Sequence, residues 1–156
     1  MSDPFWDWAV AAYTAPEVQA ACLDLQDTGG QNVPLLLWAA WCATTGRRLD
    51  QDSIEAACDA AQAWETTTIA PLRAVRRAIK TRNLDMDEAD REAVRAQVKA
   101  VELEAERRLM AHLSGLSPDA AGAPAPVLDT LVSVSRQWGR NVPRPGLEQL
   151  ARVLSA

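Results

Sequence analysis

With 156 residues, 48% of them hydrophobic and 24% charged, the chain is long enough for one domain with its own core. Its formal net charge of -5 argues against nucleic-acid binding driven by overall charge. The charge is unevenly spread: five acidic residues and no Lys or Arg precede Arg47, whereas Pro71 to Arg82 holds five basic residues and no acidic one.

Asp3 followed by Pro4 reads as a cap and a first-turn proline, and predicts a helix from Pro4 to about Tyr13. Phe5, Trp8, Ala9 and Ala12 share its apolar stripe, and Trp6 lies off it. Thr14 and Glu17 have capping-box spacing, which predicts a second helix from Ala15 to about Thr28. Val18, Ala21, Cys22 and Leu25 form its inward face, and Gly29 and Gly30 end it.

The stretch NVPLLLWAAWCATTG, Asn32 to Gly46, is the one the rest is organised around. Asn32 caps it, Val33 and Pro34 suit the first turn, and Gly46 takes the left-handed position past its end. Its residues from Val33 to Ala43 are apolar on every side of the helical wheel, so the helix is expected to be covered all round.

Asp50 or Asp52 caps a fourth helix whose inward stripe is Ile54, Ala57, Cys58, Ala61 and Trp64. The β-branched run Thr66-Thr67-Thr68 disfavours a helix interior, and the Pro71 ring would strike the Thr67 carbonyl in a straight α-helix. A kink or break is therefore expected between Glu65 and Pro71, followed by a fifth segment to about Thr81 with Leu72, Val75 and Ile79 inward. Asp85 and Glu88 again have capping-box spacing and predict a sixth helix from Met86 to about Ser114, roughly 43 Å long at ~1.5 Å per residue. Its narrow stripe of Val94, Val98, Val101, Ala105 and Leu109 suits a hairpin with the segment Ser53 to Arg82, or a homodimer through the long helix. Ser114 to Pro126 is rich in Ala, Pro, Gly and Ser and reads as a linker. Val127 to Trp138 and a segment carrying Leu147, Leu150, Ala151 and Leu154 read as two further helices.

The expected fold is all-α: a small N-terminal helical cluster around a buried central helix, a long kinked helical hairpin, and a helical C-terminal extension. The expected division is residues 1–114 as a helical domain, 115–126 as an Ala/Pro/Gly linker and 127–156 as a small helical extension. The longest apolar run, Val33 to Ala43, is far short of the ~20 residues that span a bilayer. Asp3 and Asp7 stand where a secretory signal would carry basic residues. Cys22, Cys42 and Cys58, without CxxC spacing, read as reduced buried thiols of a cytoplasmic protein.

Five blocks, FWDWAVAAY at Phe5, AACLDLQ at Ala20, NVPLLLWAAW at Asn32, APLRAVRRAIK at Ala70 and ELEAERRL at Glu102, occur in this order. Together they resemble an uncharacterised family of short, Trp-rich, all-helical proteobacterial proteins, a domain of unknown function. The resemblance spans about Phe5 to Leu113 and implies a bacterial, soluble, all-α protein. It carries no catalytic residues or cofactor with it.

The sharpest polar feature is the set Arg73, Arg76, Arg77 and Lys80. One reading is contact with an anion, an RNA backbone or an acidic partner. The other is pairing inside the hairpin with Glu102, Glu104 and Glu106. Asp85, Asp87, Glu88 and Asp90 lack calcium-loop spacing and sit where a helix N-terminus favours carboxylates. His112, the one histidine, has no Glu-x-x-His repeat that a helical metal site would need. Trp38 and Trp41 share a helix face and are candidates for pocket lining, with core packing as the commoner role. No nucleophile–base pair, metal site or glycine-rich phosphate loop stands out. The expectation is a non-enzymatic interaction or adaptor protein of the bacterial cytoplasm with a protein partner, no cofactor, no metal and no nucleic acid. The alternative is a binding module for a small apolar or anionic ligand, or for a nucleic-acid backbone, using the Arg73 to Arg77 segment and the core edge lined by Trp38 and Trp41.

Overall fold

The computed structural model describes residues 3–156. It is all-α: eight α-helices and one π-helical turn among the described residues. They are α1 (Pro4–Tyr13), α2 (Pro16–Asp27), α3 (Val33–Thr44), α4 (Gln51–Trp64), the π turn (Glu65–Ile69), α5 (Ala70–Ala78), α6 (Glu88–Gly115), α7 (Val127–Trp138) and α8 (Arg144–Leu154). None is long and apolar enough to cross a membrane.

Helix α3 is the hub, with α1, α2, α4, α6 and α7 all packed on it. Ten of its residues, Pro34 to Ala43, are buried. Asn32 Oδ1 accepts the Leu35 N–H at 2.9 Å, and Gly46 has φ 72°. A Cβ at Gly46 would stand 2.0 Å from the Gly122 carbonyl oxygen, because the segment after α6 lies directly against this turn. Gly122 N–H donates to Gly46 O at 3.0 Å, and Ala125 N–H to Ala43 O at 2.9 Å. The stretch read as a linker is therefore a strap bonded to the end of α3. It delivers α7 onto α3 and α8 onto α2. Leu131, Val134, Leu147 and Leu150 are fully buried in the same core as Phe5, Leu36 and Trp38, so the C-terminal extension shares the core of the first 114 residues.

Caps follow the sequence at three helices, α1, α3 and α4, and depart from it at α2 and α6. Asp3, Asn32, Asp50 and Asp87 accept first-turn N–H groups. The Thr14/Glu17 box does not form: Thr14 turns its hydroxyl back to Ala11 O at 2.6 Å, and Ala15 stands at the N-cap. The Asp85/Glu88 box does not form either. Asp87 caps α6 through Asp90 N–H at 3.0 Å, which leaves Glu88 to pair with Arg91.

The expected interruption before Pro71 is a π turn, and the helix runs on through it. Ala70 N–H reaches back five residues to Glu65 O. The wider turn accommodates a proline that has no N–H to give and whose ring would crowd an α-turn. Thr66 and Thr67 hydroxyls donate to Gln62 O and Ala63 O at 2.8 and 2.6 Å, taking up carbonyls that the altered ladder releases.

Helices α5 and α6 form the expected antiparallel hairpin, whose outer part stands clear as an arm: α5 packs chiefly on α6 and on the π turn. At the tip the buried Arg91 guanidinium donates to Ile79 O and Lys80 O at 2.7 and 3.0 Å, closing the C-terminal end of α5.

Candidate functional site

The basic segment lies at the root of the arm, where the π turn, α5, α6 and the end of α2 meet. Arg76 engages Glu102 as a fork, Nε to Oε2 at 2.5 Å and Nη2 to Oε1 at 3.2 Å. Arg73 donates to Glu65 Oε1 at 3.0 Å and Gln26 Oε1 at 3.4 Å, and its Nε lies 3.8 Å from Glu102 Oε1. Arg77 reaches Asp27 Oδ1 on α2 at 2.8 Å. Lys80 is exposed and has no carboxylate partner among the described residues. Each arginine of the segment thus already holds a carboxylate. The hydrogen bond to Glu102 raises the Arg76 pKa, and those from Gln26 and Arg77 lower that of Asp27.

Glu65 owes its place to the π turn. Its second oxygen accepts from Asn32 Nδ2 at 3.4 Å, so the residue that caps α3 also ties the hub to the root of the arm. Of the three glutamates that the sequence set against the arginines, Glu102 is the one paired with them. Glu104 turns outward to Arg108 at 2.7 Å. Glu106 is half-buried, and no group donates a hydrogen bond to its carboxyl among the described residues.

Glu106 instead lines a cavity of about 490 Å³ between α1, α2, α3 and α6. Trp6, Val10 and Tyr13 of α1 and Val33, Pro34 and Leu37 of α3 form its walls, Leu103 its rim, and Gln26 a further polar edge. Burial first, then the neighbouring Glu102, pushes the Glu106 carboxyl up to about 7. Tyr13 is also raised, by burial first and then by its acidic neighbours Cys22 and Glu106. Trp6 carries the Arg107 guanidinium 4.9 Å above its ring.

Trp38 and Trp41 are 0% and 4% exposed, and neither lines the cavity at Glu106 or three others on the surface. Trp38 Nε1 donates to Ser117 Oγ at 2.8 Å, an acceptor supplied by the strap. Trp41 packs 5.3 Å from the Phe5 ring and under Arg47. The cavity opens nearer the start of the same helix, at Val33, Pro34 and Leu37, a turn or more before Trp41. Trp6, Tyr13 and Glu106 as cavity residues were not singled out from sequence. The available signal was Glu102 and Glu106 one turn apart, two like charges on one face of a helix whose partner segment offers two inward arginines.

The opposite face of the arm is apolar and open. Val75, Val94 and Val101 are 48%, 49% and 52% exposed, although the sequence pattern turns them inward. Helical spacing sets Val94 and Val101 one heptad apart on the flank of α6 away from Glu106, and Val75 is the exposed valine of α5. Leu84 and Met86, in the connection between α5 and α6 at the tip, are exposed as well. The seam itself is filled by Arg76, Arg91, Val98 and Glu102, which pushes these valines to the side.

Cys22, Cys42 and Cys58 are buried and unpaired by disulfides, each pushed up to about 12 by burial, so none is a ready thiolate. No cluster of three metal-ligating side chains occurs among the described residues. A family described as Protein of unknown function (DUF2390) matches residues 4–113. No curated protein and no solved structure matches the chain.

Proposed function

We propose, for a chain that belongs to the DUF2390 family of proteins of unknown function, the role of a non-enzymatic interaction protein of the bacterial cytoplasm that docks a protein partner along its helical arm. The observation that carries this reading is the exposed valine stripe on a hairpin whose outer part is free of the globule. Two antiparallel helices leave a shallow groove between them. Ridges at heptad spacing on its lip fit a third amphipathic helix. The occupant proposed is an apolar helix face of another protein. Three buried, unbridged cysteines support a reducing compartment. The arginine segment adds no anion site to this reading, since its guanidinium groups are neutralised within the fold.

The test is a photo-crosslinking amino acid placed at Leu84, which is 93% exposed. In cells it should capture one discrete protein. The double variant Val75→Asp and Val101→Asp should lose that band while keeping its circular-dichroism spectrum, because both positions already face water. Capture of nothing, or capture unchanged in the double variant, sinks the proposal. A concentration-dependent dimer abolished by the same substitutions would replace the foreign partner with a second copy of this chain.

A further inference from the structure

We propose that the cavity between α1, α2, α3 and α6 is a binding site for a small organic amine, an ammonium head on an apolar body, with Glu106 as the counter-ion. This site is separate from the valine stripe and does not depend on the arm's partner.

The walls set the body of the ligand. Val10, Val33, Leu37 and Leu103 give an apolar trough within the size range of small-molecule sites. The polar end sets the head. Glu106 offers two acceptor oxygens with no donor from the protein, and Tyr13 and Trp6 add aromatic surface to the same cavity, Trp6 with one ring face already under Arg107. A carboxylate next to aromatic rings is the chemistry that recognises an ammonium group.

Charge in the surrounding cluster points the same way. The groups acting on Glu106 are the carboxylates of Glu65 on the π turn and Glu102 on α6, and the guanidinium groups of Arg73 and Arg76 on α5. Tyr13 on α1 and Cys22 on α2 are neutral, and α3 presents only apolar side chains there. Arg73 and Arg76 are balanced by Glu65 and Glu102, Arg107 stacks on Trp6, and Lys99 borders Glu106 from the outer side, yet none of these cations donates to Glu106. An ionised Glu106 is therefore a carboxylate without a bonded counter-ion, and an ammonium head in the cavity supplies one. A carboxylate or phosphate ligand would meet a like charge there. The raised Glu106 pKa is what an uncompensated, partly desolvated carboxylate shows. An ammonium head would displace the proton from the fraction of Glu106 that holds one.

The probes are phenethylamine and its uncharged counterpart 2-phenylethanol, titrated into the full-length protein at pH 8 and followed by the Trp6 indole N–H and backbone N–H shifts of Tyr13 and Leu37. The amine should bind at least about tenfold tighter than the alcohol. Its affinity should fall about tenfold from pH 8 to pH 6, as protons compete for Glu106. Glu106→Gln should bring the two ligands to equal, weak affinity while leaving the alcohol unaffected. Val10→Trp, at a 47% exposed position of the α1 wall, should weaken both. The proposal is overturned if the alcohol binds as well as the amine, if Glu106→Gln keeps the preference, or if neither compound shifts these resonances at millimolar concentration.

Discussion

At the scale of single residues, two glutamates one turn apart on α6 have opposite situations. Glu102 is 7% exposed and held by Arg76 as a bidentate pair, with Arg73 behind it. Arg76→Ala removes the fork and strands a buried carboxylate, which should cost about 2–3 kcal/mol by urea denaturation, short of a fully buried pair because Arg76 retains some exposure. Glu106 lacks such a partner. An acid whose folded pKa is raised binds its proton more tightly in the folded than in the unfolded state, so its favourable contribution is complete below about 4.5 and is lost as pH rises through about 7. Glu106→Gln should therefore leave stability unchanged near pH 4 and raise it by about 1–3 kcal/mol at pH 8. Unfolding free energies at the two pH values check both halves of that statement.

At the scale of elements, the continuous helix from Gln51 to Ala78 is α-helical except at one turn, and that turn decides where its polar groups point. A π turn is one residue more than an α-helix requires. Deleting Thr67 should remove the extra residue, but the Pro71 ring would then meet the Thr66 carbonyl at the α-helical spacing, a clash of about 3 kcal/mol. The deletion combined with Pro71→Ala should recover most of that loss. Equal denaturation midpoints for the two variants would show that the proline is not what demands the turn. Helix α3 is the simpler case. An apolar surface all round, a side-chain cap and a left-handed glycine were all legible in Asn32 to Gly46, and the element sits where those features require. The capping boxes were less legible because spacing cannot say which of several nearby carboxylates or hydroxyls reaches the first-turn N–H groups. Asp87 won over Asp85, and Thr14 bonded backwards.

At the scale of the whole molecule, α7 and α8 complete the core. The strap hydrogen-bonds to α3 and supplies the acceptor for Trp38, and the two helices bury Leu131, Val134, Leu147 and Leu150 fully. Burial of four such side chains contributes roughly 6–12 kcal/mol, comparable to the whole stability of a domain. Truncation after Gly115 should therefore abolish cooperative thermal unfolding and expose α3 to hydrophobic dyes. A truncated chain with a full-length melting profile would make the extension dispensable. The region matched by the family, residues 4–113, ends before these helices begin, yet in this chain α7 covers its central helix and α8 covers α2.

The all-α class, the hub helix, the hairpin and the helix order were set by local features: periodicity, caps, Gly and Pro. These act through residues within a turn or two of one another, so the sequence alone determines them. Which charges pair and which faces stay open depended on the angle at which helices cross. Val75, Val94 and Val101 read as inward because periodicity reports an apolar stripe, not the side chains that reach the seam first. Polar residues with long reach, Arg76, Arg91 and Glu102, occupy that seam and leave the valines to solvent. The same packing set Glu102 against two arginines and Glu106 against a cavity, a difference that only three-dimensional neighbours create, because a carboxylate's state is fixed by what stands within a few ångströms of it and not by its position in the chain.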